Sequence, residues 1–221
     1  MPHAELFLML LADARLPVAG HTQSAQLEPA VARGLAARDV PAYLRARLET
    51  VARVEAATAV VARHHLAHGL GLSPVETAWA ARTPSAAMRT TSRTQARTFL
   101  RLAHRLWPGD PALVALAGIA RPSRGAAVAA AGAAAGLPAT SLARLVGYDD
   151  VQTVCAAALK LMPLDPYEVA GWAHAALPFV EELARTVAPL TTPGDIPAAG
   201  APQIEAWAED HAATTRRLFS A

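Results

Sequence analysis

The chain contains a single cysteine and lacks the residue groupings on which catalysis usually depends. One cysteine, Cys155, excludes a disulfide within the chain. The sequence has no phosphate-binding glycine loop, no His-Glu-x-x-His pair and no cysteine cluster. Cys155 lies among alanines with no neighbouring histidine, which favours a buried small hydrophobe over a nucleophile. The sequence therefore predicts that the protein is not an enzyme.

Aromatic residues make up only 5% of the 221 residues, and the β-branched residues that populate strands are also scarce. Alanine, leucine and arginine are abundant, which favours helices. A hydrophobic content of 53% is enough for a proper core, although the chain is too short for two large domains. We therefore expect an all-α fold, a compact multi-helix bundle with a mobile carboxy-terminal segment.

Long apolar runs are missing as well. The best candidate for a membrane span is the uncharged stretch of residues 125–143, which consists mainly of alanine and glycine and is interrupted by Pro138. A membrane span needs about 20 strongly apolar residues, so this stretch does not favour one. The start, Met-Pro-His-Ala-Glu, lacks the features of a secretory signal. We expect a cytoplasmic protein with neither a membrane nor a nucleic acid as its partner.

Proline and glycine divide the chain near its carboxyl end. We expect residues 1–188 to form the helical domain, residues 189–202 a Pro/Gly-rich loop, and residues 203–221 a terminal helix and tail of the same domain. The loop and the tail should be the mobile part of the free protein.

Polar residues next to periodic apolar segments predict where helices begin. Asp39 is placed to cap one long helix that continues to about Gly69. Thr22 or Ser24 is placed to cap the helix that follows the turn around Pro17 and Gly20.

Glycine and alanine dominate one central segment. Residues 125–136 have almost no large side chains, and Gly132 and Gly136 are four residues apart, which predicts a tightly packed central helix. The next helix, through Leu161, is expected to be interrupted or eased near Gly147.

The net charge of +2 conceals a division along the chain. Residues 1–76 are neutral, residues 77–148 carry a net charge of +8, and residues 149–221 carry −6. The basic third contains arginines at every fourth position, which we call the arginine ladder: Arg89, Arg93, Arg97, Arg101 and Arg105.

Like charges spaced one helical turn apart disfavour a helix by a few tenths of a kcal/mol per pair. One explanation of the ladder is that acidic residues of the last third fold against it, or that it spirals into solvent. A second explanation is an acidic surface on a partner protein. A third is nucleic acid, although the acidic third would repel phosphate and no reading motif is present.

Histidines provide the nearest approach to a metal site. His64 and His68 lie one turn apart and could share one ion, and His21 is at most a surface ligand. Two nitrogens make a weak site, so a solvated helix end before Gly69 is the better interpretation. We expect no stably bound metal or cofactor.

A leucine-rich helix near the amino end leads into a Pro/Gly turn. Leu6, Met9 and Leu10 follow helical spacing, and the next position on that face is Asp13, a carboxylate that needs hydrogen-bond donors. The simplest interpretation is that Asp13 accepts backbone N–H groups from the turn.

The order of this segment resembles the amino-terminal signature of the urease accessory protein F (UreF) family, a Leu-Ala-Asp-Ser-x-Leu-Pro motif followed by a glycine turn and a Leu-Glu pair. The matching residues are Asp13, Leu16, Pro17, Gly20, Ser24, Leu27 and Glu28. Further segments resemble the family's arginine helix, its proline–glycine segment, its small-residue helix and its tail. These segments contain Arg82, Arg89, Arg97, Pro122, Gly125, Cys155, Leu164, His211, Arg216, Arg217, Leu218, Phe219 and Ser220.

The resemblance implies a urease maturation chaperone, all-helical and commonly dimeric, without catalytic apparatus. In that family the protein bridges the accessory protein D, also called H, to the GTPase G, and the assembly docks on apo-urease and promotes nickel insertion. Nickel would be handled by the complex.

For this chain the resemblance implies a partner-binding tail, with Leu218 and Phe219 as apolar anchors and Arg216 and Arg217 as rim charges. A second candidate surface surrounds Asp13, Pro17, Gly20 and Glu28, for contact with a second copy or with the GTPase, although packing alone also explains it. An alternative is a GTPase regulator that inserts an arginine, with Arg97 as the first candidate. An unrelated helical nucleic-acid-binding protein is the other alternative.

Overall fold

Helices account for all the regular structure in the described part of the chain. The computed structural model describes residues 3–13, 15–16, 22–215 and 218–219. Within them no strand occurs, and the all-α prediction is confirmed. The α-helices, in chain order, are α1 Ala4–Leu11, α2 Leu27–Ala32, α3 Val40–Glu49, α4 Val51–Ala67, α5 Ser73–Ala81, α6 Ala86–Leu106, α7 Pro111–Leu116, α8 Arg124–Ala134, α9 Ala139–Leu161, α10 Pro166–Val187 and α11 Pro202–Ala213.

Helix α8 lies at the centre and packs against α4, α6 and α7. Its small side chains allow this close approach, as the sequence predicted. A Cβ atom added at Gly125 would lie 3.1 Å from the carbonyl oxygen of Glu55 on α4. A Cβ atom at Gly132 would lie 2.7 Å from Cδ1 of the buried Leu142. Any larger residue at either position would have to displace a neighbour in a close-packed interior.

Helices α9 and α10 pack against each other along their length. Helix α9 runs through Gly147 without a break, so the predicted interruption there is wrong. Gly147 instead accommodates its neighbour, since a Cβ atom on it would lie 3.2 Å from Cγ1 of Val180 on α10. Packing between helices, and not a turn, explains this glycine.

The predicted long helix from Asp39 to Gly69 is divided in two. Thr50 separates α3 from α4 with φ −125° and ψ −91°, and its hydroxyl donates to the carbonyl oxygen of Ala46 at 2.6 Å. The two parts pack against different neighbours, because α3 contacts α10 whereas α4 contacts α8. Asp39 makes no side-chain cap for α3 and accepts instead from the N–H of Ala36 at 3.2 Å. The prediction of one helix capped by Asp39 is therefore wrong.

The start of α2 uses backbone geometry in place of a side-chain cap. Ala25 and Gln26 both have positive φ, 49° and 60°, and no side chain caps the helix, so the predicted caps at Thr22 and Ser24 are wrong. The strained turn is held from α3, where the Tyr43 hydroxyl and the Arg47 guanidinium donate to the carbonyl oxygen of Ala25 at 2.5 and 3.0 Å. These contacts offset the cost of the left-handed conformation.

The connection between α10 and α11 contains one 3-10 turn, Pro193–Asp195, and otherwise little regular structure. It lies against the body of the protein, because Ile196 is only 2% exposed and Arg82 donates to the carbonyl oxygens of Gly194, at 2.9 Å, and Ile196. Mobility of this connection and of the tail stays a prediction, as do the three-part boundaries. In the part of the chain that the structure describes, no helix is long and apolar enough to cross a membrane.

Candidate interaction surface

Glu28 on α2 brings the two ends of the chain together. Its Oε1 accepts the backbone N–H of Leu218 at 2.6 Å, and its Oε2 accepts that of Phe219 at 3.0 Å. The Nε2 atom of the buried His211, on α11, lies 3.0 Å from the same Oε2. Three of the residues that the sequence nominated, Glu28, Leu218 and Phe219, therefore form one site, which we call the Glu28 site.

The two apolar residues of the tail point to different environments. Phe219 is 3% exposed and joins the core, with the ammonium of Lys160 5.2 Å from its ring centroid. Leu218 is 65% exposed. In this arrangement Phe219 anchors the tail to its own chain, whereas the Leu218 side chain is exposed.

Helix α11 supports the Glu28 site by packing against both α2 and α6. Asp210 pairs with Arg33 at 2.6 Å, at the end of α2. Glu209 accepts from the hydroxyl of Ser85 at 2.6 Å and from the N–H of Ala87 at 3.0 Å, at the start of α6. These contacts fix α11, and with it His211, relative to Glu28.

Asp13 satisfies its carboxylate locally. It accepts the N–H of Arg15 at 2.9 Å and forms an ion pair with the Arg15 guanidinium at 2.7 Å. These donors lower the pKa of Asp13 to about 2. One backbone N–H of the turn therefore reaches Asp13, as its simplest interpretation predicted, and the Arg15 guanidinium supplies the other donors. Pro17, Gly20, His21, Arg216 and Arg217 lie outside the described residues, so their predicted roles stay predictions.

The arginine ladder divides into a fixed end and an open end. Arg89 donates to the carbonyl oxygens of Thr83 and Pro84 at 2.6 and 2.7 Å, and the Arg93 guanidinium lies 5.4 Å from the ring centroid of Trp79. Arg97 and its successors in the ladder are exposed, and within the described ranges they form no ion pair. The acidic third does not fold against them, and the ladder runs into solvent.

A buried charge pair, which the sequence reasoning missed, connects α3 to α9. Arg47 is 4% exposed, and its guanidinium donates to both oxygens of Asp150 at 2.6 and 2.9 Å while also reaching Gln26 Oε1 at 2.8 Å. Next to it, Arg124 pairs with Asp149 at 2.5 Å, although burial raises the pKa of that carboxyl. The available signal in the sequence was the pair of consecutive aspartates in α9, where only Arg144 and Lys160 are otherwise charged. The pairs border a small cavity of about 90 Å³.

Comparisons with known proteins identify the family of this chain. The UreF family model matches residues 35–177, which include α3 to α9 and part of α10. The chain is 35% identical over 216 residues to the urease accessory protein UreF of Mycobacterium sp. strain JLS, covering 96% of this chain and 97% of the relative. It is 35% identical over 222 residues, with the same coverage, to that of Mycolicibacterium vanbaalenii, and 32% identical over 215 residues to that of Mycobacterium tuberculosis H37Ra, covering 96% of each. The chain belongs to the UreF family.

Two histidines at the end of α4 in this UreF-family chain, His64 and His68, form a stacked pair. The rings of His64 and His68 have centroids 4.1 Å apart, and Nδ1 of His68 lies 2.8 Å from the carbonyl oxygen of His64. Partial desolvation and the neighbouring His68 lower the pKa of His64. Across the described residues, no group of three or more His, Cys, Asp or Glu side chains is placed to hold a metal ion.

Cys155 of this UreF-family chain is buried on α9. Burial raises the pKa of its thiol to about 11, and Sγ lies 3.9 Å from the carbonyl oxygen of Val169 on α10. The side chain therefore packs as a neutral thiol.

Proposed function

We propose that this chain is a urease accessory protein that acts as a non-catalytic scaffold in the maturation of urease. It would bridge the accessory protein D, or H, and the GTPase G to apo-urease, in the cytoplasm, with nickel as the cargo of the complex and not as a resident ion of this chain. One observation carries the proposal, which is the similarity to proteins named urease accessory protein UreF over 96% of the chain. That family membership supports neither the arginine-inserting GTPase regulator nor the nucleic-acid-binding protein.

The Glu28 site is our proposed contact for the D partner. Glu28, whose carboxylate is also contacted by His211, accepts the backbone N–H groups of the tail, and Phe219 anchors it. Leu218 is therefore presented on a defined backbone, and an ordered exposed apolar residue binds at a lower entropic cost than one on a free tail. Arg216 and Arg217 are adjacent in sequence and would supply rim charges.

Co-purification tests this proposal. The chain is expressed with the D, G and apo-urease proteins of its own source, and the eluting species are weighed by light scattering. We expect a stoichiometric complex with D that recruits G, and then urease. Failure of the wild-type chain to bind D or G would contradict the scaffold function.

A pair of single substitutions tests the contact itself. Leu218→Asp should weaken binding to D by at least about tenfold, because a charge would enter an apolar contact. Leu70→Asp, at a residue of comparable exposure between α4 and α5, is the matched control. Equal effects of the two changes would show that D binds at another surface, and the scaffold function would not be contradicted.

The expected dimer needs an exposed apolar surface, and one lies between α1, α9 and α10. A groove of about 510 Å³ lies there, lined mainly by apolar side chains that include Met9 and Leu177, which are 68% and 42% exposed. We propose that a second copy covers these residues, since such large exposed apolar side chains are rarely left together in solution. By light scattering, the wild-type chain should be a dimer and the double variant Met9→Asp/Leu177→Asp a monomer. A wild-type chain that stays monomeric at high concentration would exclude this dimer surface.

A further inference from the structure

A basic groove between α6 and α7 has no role in the contacts described so far. Its volume is about 450 Å³. Leu100 and the buried Leu113 supply part of its apolar lining, and cations border it at Arg93, Arg97, Arg101 and Arg121. The residues that line the groove include no carboxylate.

One cation of this groove already has partners in the protein, because Arg93 lies over the Trp79 ring and is attracted to the carboxylate of Glu76. Arg97, Arg101 and Arg121 are exposed, and across residues 3–13, 15–16, 22–215 and 218–219 none of them forms an ion pair or a hydrogen bond with a carboxylate. Arg97 and Arg101 follow each other by one helical turn, so their mutual repulsion weakens α6 by a few tenths of a kcal/mol. An anionic ligand would remove that repulsion.

The acidic third of the chain is already engaged elsewhere, which argues against a second copy as the ligand. Five of its carboxylates pair with arginines and four others accept hydrogen bonds from backbone N–H or hydroxyl groups, and these nine are Asp149, Asp150, Asp165, Glu181, Glu182, Asp195, Glu205, Glu209 and Asp210. Glu168 is the remaining acidic residue of this third. A copy of this chain has few carboxylates to offer without first breaking its own contacts.

We infer that this groove binds an acidic, partly apolar segment of a different protein. Arg97 and Arg101 are about 6 Å apart along the helix axis. Carboxylates at every fourth residue of a helix, or at every second residue of a strand at about 6.6 Å, match that spacing. Apolar side chains of the same segment would pack on Leu100 and Ile119, which line the groove and are partly exposed. Nucleic acid fits less well, because its phosphates would leave the apolar lining without a partner.

The inference goes beyond the proposed scaffold function and can be tested without any of its partners. The probe is a fluorescent helical peptide of about 16 residues, since shorter isolated helices are marginal, with glutamate at every fourth position and leucine on the adjoining face. Its counterpart has glutamine in place of each glutamate. Anisotropy titrations are carried out with the wild-type chain and with Arg97→Glu/Arg101→Glu. Arg105→Glu is the matched control, because Arg105 is exposed on the same helix but does not line the groove.

We expect the double variant to bind the acidic peptide at least about tenfold more weakly, and Arg105→Glu to bind it within about threefold of wild type. The glutamine peptide should bind weakly to all three proteins. Thermal unfolding of each variant would confirm that the fold is kept.

Three outcomes would overturn the inference. These are equal binding of the acidic and the glutamine peptide, an equal loss in Arg105→Glu, and tighter binding of a duplex or single-stranded oligonucleotide than of the peptide at about 0.15 M salt. Leu218→Asp should leave peptide binding unchanged. A failure of the scaffold function and a failure of this groove are therefore distinguishable.

Discussion

Glu28 and Phe219 are separated by most of the chain, yet the backbone N–H of Phe219 donates to Glu28 Oε2 at 3.0 Å. The Leu218 N–H and His211 Nε2 complete the set of groups around the same carboxylate. One carboxylate on a short amino-terminal helix therefore holds the tail, together with the burial of Phe219. The consequence is that changes at Glu28 should affect the tail before they affect the core.

Replacing Glu28 with glutamine should release the tail. The amide keeps the shape of the side chain but loses one acceptor and the negative charge, so we expect the free energy of unfolding to fall by about 1–3 kcal/mol. Amide hydrogen exchange at Leu218 and Phe219 should accelerate far more than exchange in α8. Glu168→Gln, at an exposed glutamate, is the control and should be nearly silent. Unchanged exchange at the tail in Glu28→Gln would show that Phe219 burial alone holds it.

Replacing Arg47 with methionine should be costly. The change leaves the Asp150 carboxylate without its guanidinium and removes a donor from the strained Ala25 carbonyl, so we expect a loss of about 3–5 kcal/mol in the free energy of unfolding. Arg45→Met on the same helix removes an exposed ion pair with Glu49, and should cost no more than about 1 kcal/mol. Urea denaturation of both variants measures the difference. Similar losses would mean that burial does not strengthen the Arg47 contacts.

Two glycine-to-alanine changes should have opposite signs. At Gly171, within α10, a Cβ atom meets nothing within 4 Å, so alanine should raise the free energy of unfolding by about 0.5–1 kcal/mol through helix propensity. At Gly125 the Cβ atom meets the Glu55 carbonyl oxygen at 3.1 Å, and backbone cannot rotate away. Overpacking costs about 1–3 kcal/mol, so Gly125→Ala should be destabilising overall. Stabilisation by both changes would show that α4 and α8 can separate freely.

The thiol of Cys155 should resist alkylation in the folded protein. Its pKa is raised to about 11 from an ordinary value near 9, so at about pH 8 the thiolate fraction is far below that of an exposed cysteine. Because folding raises the pKa of this thiol, the protonated group contributes to the free energy of unfolding. The contribution is fully present below about pH 9 and is lost as the pH rises through about 11. Iodoacetamide labelling followed by mass spectrometry, with and without urea, measures the effect. Equal rates in both conditions would contradict the burial of Cys155.

Local patterns predicted most of the helices and the family, because both depend on residues near one another in sequence. The small-residue helix α8 and the irregular connection before α11 follow from side-chain size and from proline and glycine content. The break at Thr50 and the continuity at Gly147 did not follow, because both depend on which helix packs alongside. A glycine within a helix indicates a weak point when only the sequence is known, and at Gly147 the close contact with Val180 gives a different reason for it.

The sequence by itself determined an all-α chain, its resemblance to the UreF family and the strong division of charge along its length. The tertiary structure alone decided that Glu28 would bind the tail and that Arg47 would pair with Asp150. It also decided that carboxylates of the acidic third would pair with arginines other than Arg97 and Arg101, which stay exposed. The reason is physical. Helix formation and capping are satisfied within a few residues, whereas a buried carboxylate or a free guanidinium is defined by groups that only folding brings within hydrogen-bonding distance.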